Sequence, residues 1–130
     1  MRAGVALIAM TVVACVAAPE PPVDHASFED VRRVVNALDD VAGDYPDAVA
    51  DGAVIAPVRV RVLERLLHEA TRYAEHLTGT DRSELAALVA DVGRRAPAVE
   101  VVAAARRLRA AMLAREQRRR VDRGSCPRRR

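Results

Sequence analysis

The side chains best suited to chemistry are acidic and cluster in one short stretch of the chain. Asp44, Asp47 and Asp51 lie within "GDYPDAVADG", and Asp39 and Asp40 come just ahead of it. Hard cations prefer carboxylate oxygens, so this group is a candidate metal site. The group lacks the alternating ligand positions of an EF-hand loop, and no glutamate follows at the end of the stretch to bind a cation with both carboxylate oxygens. The alternative is that these aspartates cap helices, form turns and keep the surface soluble.

A second candidate metal pair is Glu64 with His68, four residues apart on a predicted helix. Side chains at this spacing share one helix face and could hold a metal together, although a zinc site needs three or four ligands. His76 lies two turns further on, and His25 precedes the first predicted helix. The alternative for Glu64 and His68 is an ion pair on a solvated face.

Catalytic patterns are absent from the sequence. Ser27 and Ser83 stand where helices are predicted to begin, and Ser125 lies near the C-terminus, so no nucleophile has a base beside it. The two cysteines, Cys15 and Cys126, form no CxxC motif, and no glycine-rich phosphate loop occurs. We therefore expect the protein not to be an enzyme.

The charge is divided unevenly along the chain. All 21 basic residues are arginine. Residues 115–130 hold eight arginines against Glu116 and Asp122, a net charge of +6. Because the whole chain has a net charge of +3, the rest of it carries −3. Such a tail could contact anionic lipid headgroups or could stay solvated. We expect no nucleic-acid partner, because the chain lacks aromatic platforms for bases.

The N-terminus has the features of an export signal. Arg2 precedes an apolar run over residues 3–14, which as a helix would be about 18 Å long, too short for a hydrocarbon core of about 30 Å. The run ends in "VVAC", which resembles a bacterial lipobox and makes Cys15 the candidate lipidation site. Ordinary signal cleavage after Ala18 and an uncleaved N-terminal anchor are the alternatives. Either cleavage places the protein outside the cytoplasm.

Four regions follow from these features and from the helical patterns. We predict a signal peptide over residues 1–18, a proline-rich tether over 19–26, a helical bundle over 27–114 and an arginine-rich tail over 115–130 that is frayed or disordered. If Cys15 is lipidated, Cys126 has no cysteine to pair with; otherwise the two could form a disulfide.

Apolar residues recur at helical spacing throughout the bundle region. Hydrophobic residues make up 51% of the chain but aromatic residues only 2%, so the core must consist of Val, Leu and Ala. The fold class is therefore all-α, a small antiparallel bundle of about four helices plus one short helical turn. The turn is predicted to begin at Pro46, and Asp51-Gly52 is predicted to form a tight turn.

Helix boundaries follow from capping residues and glycines. The first helix is predicted to start at Ser27 and to end at Gly43 in a left-handed cap. The next starts near Pro57 and stops at Thr78-Gly79, with Val62, Leu63, Leu66 and Leu67 on its buried face. The third opens with a capping box of Asp81 and Glu84 and ends at Gly93. The fourth runs from about Pro97 to about Arg115.

The stretch "LDDVAGDYPDAVADGAVI" (residues 38–55) resembles part of an extracytoplasmic helical domain in bacterial high-affinity iron permeases with the RExxE signature. There a helix with a Leu-x-x-Val pattern leads into an Asp-Tyr-Pro-x-Ala-Val-x-x-Gly corner. The positions that match are Leu38, Val41, Asp44, Tyr45, Pro46, Ala48, Val49 and Gly52. The later "APAVEVVAAARRLRAAML" resembles the closing helix of that domain.

The chain also departs from that family. It has no RExxE motif, since "REQRR" places Arg119 where the second glutamate belongs, and the helix after the corner carries Arg59, Arg61 and Arg65 in place of acidic and aromatic residues. Without membrane spans in the bundle region, the chain is not itself a permease. The resemblance implies an accessory module whose partner is a membrane iron permease or a cytochrome subunit, with iron as the metal to consider.

Three functional expectations follow. The first is a non-catalytic, exported, lipid-anchored helical module associated with iron uptake. The second is a structural or interaction lipoprotein with no metal role. The third is a metal-binding carrier that uses Asp44, Asp47 and Asp51, with Glu64 and His68 as further candidate ligands. Folding that depends on metal, and loses that dependence when the aspartates become Asn, would favour the third.

Overall fold

The computed structural model describes residues 25–74 and 77–124. These residues form four helices and one small ribbon: α1 (His25–Asp44), β1 (Val49–Ala50), β2 (Ala53–Val54), α2 (Pro57–Tyr73), α3 (Gly79–Gly93) and α4 (Ala98–Gly124). The main helix contacts join α1 to α2, α2 to α3, α3 to α4 and α4 back to α1. The predicted all-α bundle is therefore confirmed.

Helices α1 and α4 run antiparallel along their whole shared length. Near the start of α1, the guanidinium of Arg120 lies 5.0 Å from the centre of the Phe28 ring. Just after the end of α1, Tyr45 bonds to Ala96, which precedes α4. The bundle thus has two distinct ends. One holds the ribbon and the start of α4, and the other holds the start of α1 and the arginine-rich end of α4.

The core consists of small aliphatic side chains that recur every three or four residues. Buried positions on α2 are Val60, Leu63, Leu67 and Ala70, and on α4 they are Val101, Ala105, Leu108 and Met112. The prediction that Val62 is buried is wrong, because this side chain is 51% exposed. Val60 and Leu63, spaced by three, define the inward face, and Val62 lies outside it.

The end of α1 differs from the prediction at Gly43. The helix continues through this residue to Asp44, and Gly43 has no positive φ. The helical ladder extends one residue further, since the Tyr45 amide donates to the Val41 carbonyl oxygen at 3.1 Å. Burial of the next side chain, Tyr45, keeps this last turn closed, so no left-handed cap is needed.

The predicted helical turn at Pro46 is a single turn, in which the Val49 amide donates to the Tyr45 carbonyl oxygen at 3.0 Å, and it leads into an antiparallel ribbon. Val49 pairs with Val54 and Ala50 with Ala53. The predicted turn at Asp51-Gly52 is confirmed, with φ of 51° and 75° at the two residues. Two central residues with positive φ match the twist of a two-residue hairpin, so the turn itself brings the short strands together.

The connection between α2 and α3 begins earlier than predicted. Helix α2 ends at Tyr73, and Thr78 begins the next helix where it was predicted to stop the previous one. The Thr78 hydroxyl accepts a hydrogen bond from the Asp81 amide at 3.2 Å. Thr78 is therefore the N-cap of α3, and the predicted capping box at Asp81 and Glu84 is wrong.

The arginine-rich segment is helical further than predicted. Helix α4 continues past Arg115, near which it was predicted to end, to Gly124. Arg115 pairs with the buried carboxylate of Asp81 and therefore belongs to the bundle. Along the described ranges, none of the helices is both long enough and apolar enough to span a bilayer.

Candidate functional site

The candidate site is the hairpin corner, residues 44–56, which connects α1 to α2. Tyr45 follows α1 directly, and its carbonyl oxygen accepts hydrogen bonds from the amides of Ala48 and Val49, each at 3.0 Å. Pro46 fixes the first step of this turn, because its ring restricts φ. The Ile55 amide then bonds back to the Ala48 carbonyl oxygen at 2.9 Å. The backbone of the corner is thus held by its own hydrogen bonds.

Tyr45 attaches this corner to the other side of the bundle. Its side chain is fully buried, and its hydroxyl donates to the carbonyl oxygen of Ala96 at 2.8 Å. A buried tyrosine hydroxyl needs an acceptor, and the connection between α3 and α4 supplies one.

Burial also changes the acidity of Tyr45. Removal from water raises the pKa of the phenol, since the ionised form is poorly solvated there. Arg95 acts in the opposite direction, Asp91 raises the pKa further, and Arg94 lowers it. The hydroxyl therefore stays protonated at neutral pH and acts as a hydrogen-bond donor.

The acidic residues of the corner are spread over its surface. Asp44, Asp47 and Asp51 are all exposed, and Asp47 lies 3.3 Å from Arg59 of α2. Asp39, ahead of the corner, lies 2.5 Å from the Nε of Arg109, in an ion pair that is not aligned as a hydrogen bond. Within the described ranges, no three Asp, Glu, His or Cys side chains group closely enough to hold a metal ion.

The two residues of the second candidate metal pair, Glu64 and His68, also have separate surroundings. Glu64 contacts Arg95 at 2.6 Å, so its ion-pair partner is this arginine, and the predicted pair with His68 is not formed. His68 is exposed, and its carbonyl oxygen accepts from the Thr71 hydroxyl. Arg95 is held in place by a second bond to the Val92 carbonyl oxygen at 2.7 Å and has a φ of 61°.

The contact between Asp81 and Arg115 was not foreseen from the sequence. Asp81 is 3% exposed, and its carboxylate accepts a hydrogen bond from the Arg115 guanidinium. Both residues had other expected roles, Asp81 as a cap and Arg115 as the first tail residue. The available signal was Thr78, which starts an S/T-x-x-D pattern and places Asp81 in the first turn of α3.

Several large apolar side chains are exposed at the hairpin end of the bundle, the end that holds the ribbon and the start of α4. Ile55 is 59% exposed, Val58 67% and Val99 76%. A shallow groove on the same end runs between Pro46 and the first turns of α4, with Val99 and Val102 in its wall. Large apolar side chains in contact with water at one end of a small domain are typical of an interaction surface.

Several predicted features lie outside the described residues. They are the signal peptide and its candidate lipidation site Cys15, nearly all of the tether, His76, Ser125 and Cys126. Helix α1 is described from His25, so the predicted boundary between tether and bundle at residues 26 and 27 falls inside this helix. The side chains of residues 25–27, including the predicted cap Ser27, also fall outside the description.

Comparison of the chain with protein families, with characterised proteins and with solved structures finds no match. The resemblance of the corner to the iron-permease domain is therefore still a prediction. Export, lipidation and the absence of catalysis are also predictions that these comparisons leave untested.

Proposed function

We propose that the protein is a non-catalytic, exported helical module, anchored by a lipid at Cys15, that binds a membrane protein through the hairpin end of its bundle. The partner implied by the Asp-Tyr-Pro corner is a bacterial iron permease or a cytochrome subunit associated with it. The observation that carries the proposal is the combination of a firmly attached corner and the exposed apolar side chains around it.

The corner is suited to binding because its shape is maintained before a partner arrives. Tyr45 attaches it to Ala96, and the ribbon and turn hold the remaining backbone. A surface that is ordered in advance loses little conformational entropy on association, so more of the contact energy appears as affinity. The apolar side chains of Ile55 and Val58 then provide the area that binding would remove from water.

Ile55, Val58 and Val62 extend this surface along α2. They follow one another at spacings of three and four residues, so they lie along one side of the chain as it enters the helix. Each is more than half exposed. Arg61 lies beside them and would favour an acidic region of the partner, whereas the charge of Arg59 is offset by Asp47.

The test is co-purification from the native envelope. The full chain, tagged at its C-terminus and expressed in its own host, is isolated from detergent-solubilised membranes together with an Ile55→Gln/Val58→Gln variant. We expect a permease or cytochrome subunit with the wild type and at least a tenfold smaller yield of it with the variant. Ala86→Gln/Ala87→Gln is the control, because these exposed apolar side chains lie in the middle of α3, away from the hairpin end.

Two outcomes would overturn this assignment. A lipidated protein that is recovered with no permease or cytochrome subunit would leave the structural lipoprotein as the better description. Equal loss of partner in the control and in the corner variant would show that the hairpin end is not the binding surface. Circular dichroism of all the variants must show unchanged helix content for the comparison to hold.

A further inference from the structure

The buried stripe of α4 becomes basic in its last three turns. Its core positions end with Met112, and the same helical spacing continues at Arg115, Arg119 and Arg123. Of these three arginines, Arg115 alone meets a buried carboxylate among the described residues, that of Asp81. Arg119 and Arg123 occupy the same side of the helix further along and are exposed.

Three of the five arginines in residues 115–124 have no ion-pair partner among the described residues. Arg120 lies 3.8 Å from Glu116 of its own helix. No ion pair joins Arg118, Arg119 or Arg123 to another residue in the described ranges, and all three side chains are exposed to solvent. The surface thus attracts anions over a distance of about 10 Å at moderate salt.

The same end of the bundle receives the N-terminal part of the chain. Arg120 stacks on Phe28, and the two helices run antiparallel. At about 1.5 Å per residue, Gly124 lies about 6 Å beyond that contact and His25 about 4.5 Å beyond it in the same direction. The basic end of α4 therefore lies beside the point where the chain from Cys15 enters the bundle.

Partly exposed apolar side chains accompany these arginines. Phe28 is 37% exposed and Leu113 41%, and both line a groove between α1 and α4 together with Arg32 and Arg120. The cations at the end of α4 bind the headgroups, and Phe28, about 4.5 Å from His25 along α1, lies beside them, whereas Leu113 lies about 16 Å before Gly124.

We propose that this basic end, formed by Arg118, Arg119 and Arg123 beside Phe28, binds the surface of an anionic bilayer. The proposal rests on the export and anchoring stated under the proposed function, because those place a membrane next to the start of α1. The lipid at Cys15 holds the chain at the bilayer, and the basic patch adds a contact with anionic headgroups that orients the bundle.

This orientation has a consequence for the hairpin corner. With the start of α1 at the membrane, the corner lies about 30 Å above it, the length of a 20-residue helix. The bound partner would therefore contribute a part that projects from the bilayer. The basic end and the apolar hairpin end thus have separate roles in one assembly.

The test measures sedimentation of the full chain with vesicles in the absence of any partner protein. One set of vesicles is phosphatidylcholine, and the other contains about one-third phosphatidylglycerol. Because the apolar run of residues 3–14 could bind both sets, the quantity compared is the ratio of anionic to neutral binding. We expect Arg118→Gln/Arg119→Gln/Arg123→Gln to lower this ratio by up to about a hundredfold, at about fivefold per arginine.

The matched control is Arg61→Gln/Arg106→Gln/Arg107→Gln, which removes the same charge from exposed positions away from the basic end. We expect it to keep most of the wild-type ratio. An equal loss in the control would show a net-charge effect and overturn the proposal, and so would equal binding of the wild type to both vesicle sets. Tighter binding to a short DNA duplex than to anionic vesicles would assign the basic end to nucleic acid. Since no partner protein is present, failure here is distinguishable from failure of the co-purification test.

Discussion

The Tyr45 hydroxyl and the Ala96 carbonyl oxygen lie 2.8 Å apart in the interior of the protein, joining residues 51 positions apart in the chain. This bond attaches the corner after α1 to the connection before α4. It is the only hydrogen bond made by the Tyr45 side chain among the described residues, and both groups are buried. The position of the corner and the position of the connection before α4 therefore depend on one another.

Replacement of this hydroxyl should lower stability measurably. We expect Tyr45→Phe to reduce the free energy of unfolding by about 1–3 kcal/mol, because the Ala96 carbonyl is left buried without its donor. Urea denaturation followed by circular dichroism measures the change. Tyr73→Phe is the control: its hydroxyl accepts from Arg33 at the surface, and we expect a loss below about 0.5 kcal/mol. Equal losses would contradict the assigned role of Tyr45.

The raised pKa of Tyr45 predicts a loss of stability in alkali. The phenol ionises less readily in the folded protein than in the unfolded chain, whose phenol pKa is about 10. Its contribution is therefore fully present below about pH 10 and is lost as the pH rises through the folded pKa. We expect the free energy of unfolding to fall more steeply above about pH 10 in the wild type than in Tyr45→Phe. Parallel profiles would show that Tyr45 does not cause the loss.

The pair of Asp81 and Arg115 should contribute more to stability than a surface pair. We expect Arg115→Gln to cost about 1–3 kcal/mol, because it leaves a buried carboxylate without its cation. The cost falls below that of a fully buried pair, since the Arg115 side chain is 32% exposed. Asp47→Asn breaks the exposed pair with Arg59 and should cost less than about 1 kcal/mol. Thermal unfolding of both variants would show whether this order holds.

Two neighbouring side chains on α2 test which face of the helix is buried. We expect Leu63→Ala to cost about 2–5 kcal/mol, because it opens a cavity in the core. Val62→Ala should change stability by less than about 0.5 kcal/mol, since Val62 is exposed. Denaturant titration of both variants measures the two changes in the free energy of unfolding. A larger cost at Val62 would mean that the helix is rotated relative to the structure.

Two glycines should respond to alanine in opposite directions. Gly52 has a φ of 75°, and a Cβ there would also lie 3.9 Å from the Arg95 carbonyl oxygen, so the strain is in the backbone and not in a clash. We expect Gly52→Ala to cost about 1–2 kcal/mol. Gly43 lies within α1 with open space around it, so Gly43→Ala should stabilise by about 0.5–1 kcal/mol. Melting temperatures that fall in both variants would contradict the helical conformation of Gly43.

Local patterns were sufficient for the helices and for one turn. The buried stripes of α1, α3 and α4 recur at the predicted helical spacing, because side chains three and four residues apart must share a helix face. Asp51-Gly52 was recognisable as a turn, because few residues other than Gly, Asn and Asp tolerate positive φ. The short strands of the ribbon escaped prediction, since two residues each are too few to show alternation.

Boundaries were less predictable where a residue has two possible roles. Thr78 can end one helix or begin the next, and only the position of the Asp81 amide assigns it to α3. Gly43 can terminate a helix, but the burial of Tyr45 continues α1 past it. In both cases the packing of a neighbouring residue determines where the helix begins or ends, and a local pattern carries no information about that packing.

The sequence by itself determined the helical class, the aliphatic core, the hairpin turn and the concentration of arginine near the C-terminus, because each depends on composition or on spacing within a few residues. Only the tertiary structure decided that Tyr45 meets Ala96, that Glu64 meets Arg95 and that Asp81 meets Arg115. It also decided that the basic end of α4 lies beside the start of α1. These pairings join parts of the chain at least 31 residues apart. They arise when antiparallel helices pack at one particular register, which no short segment can specify on its own.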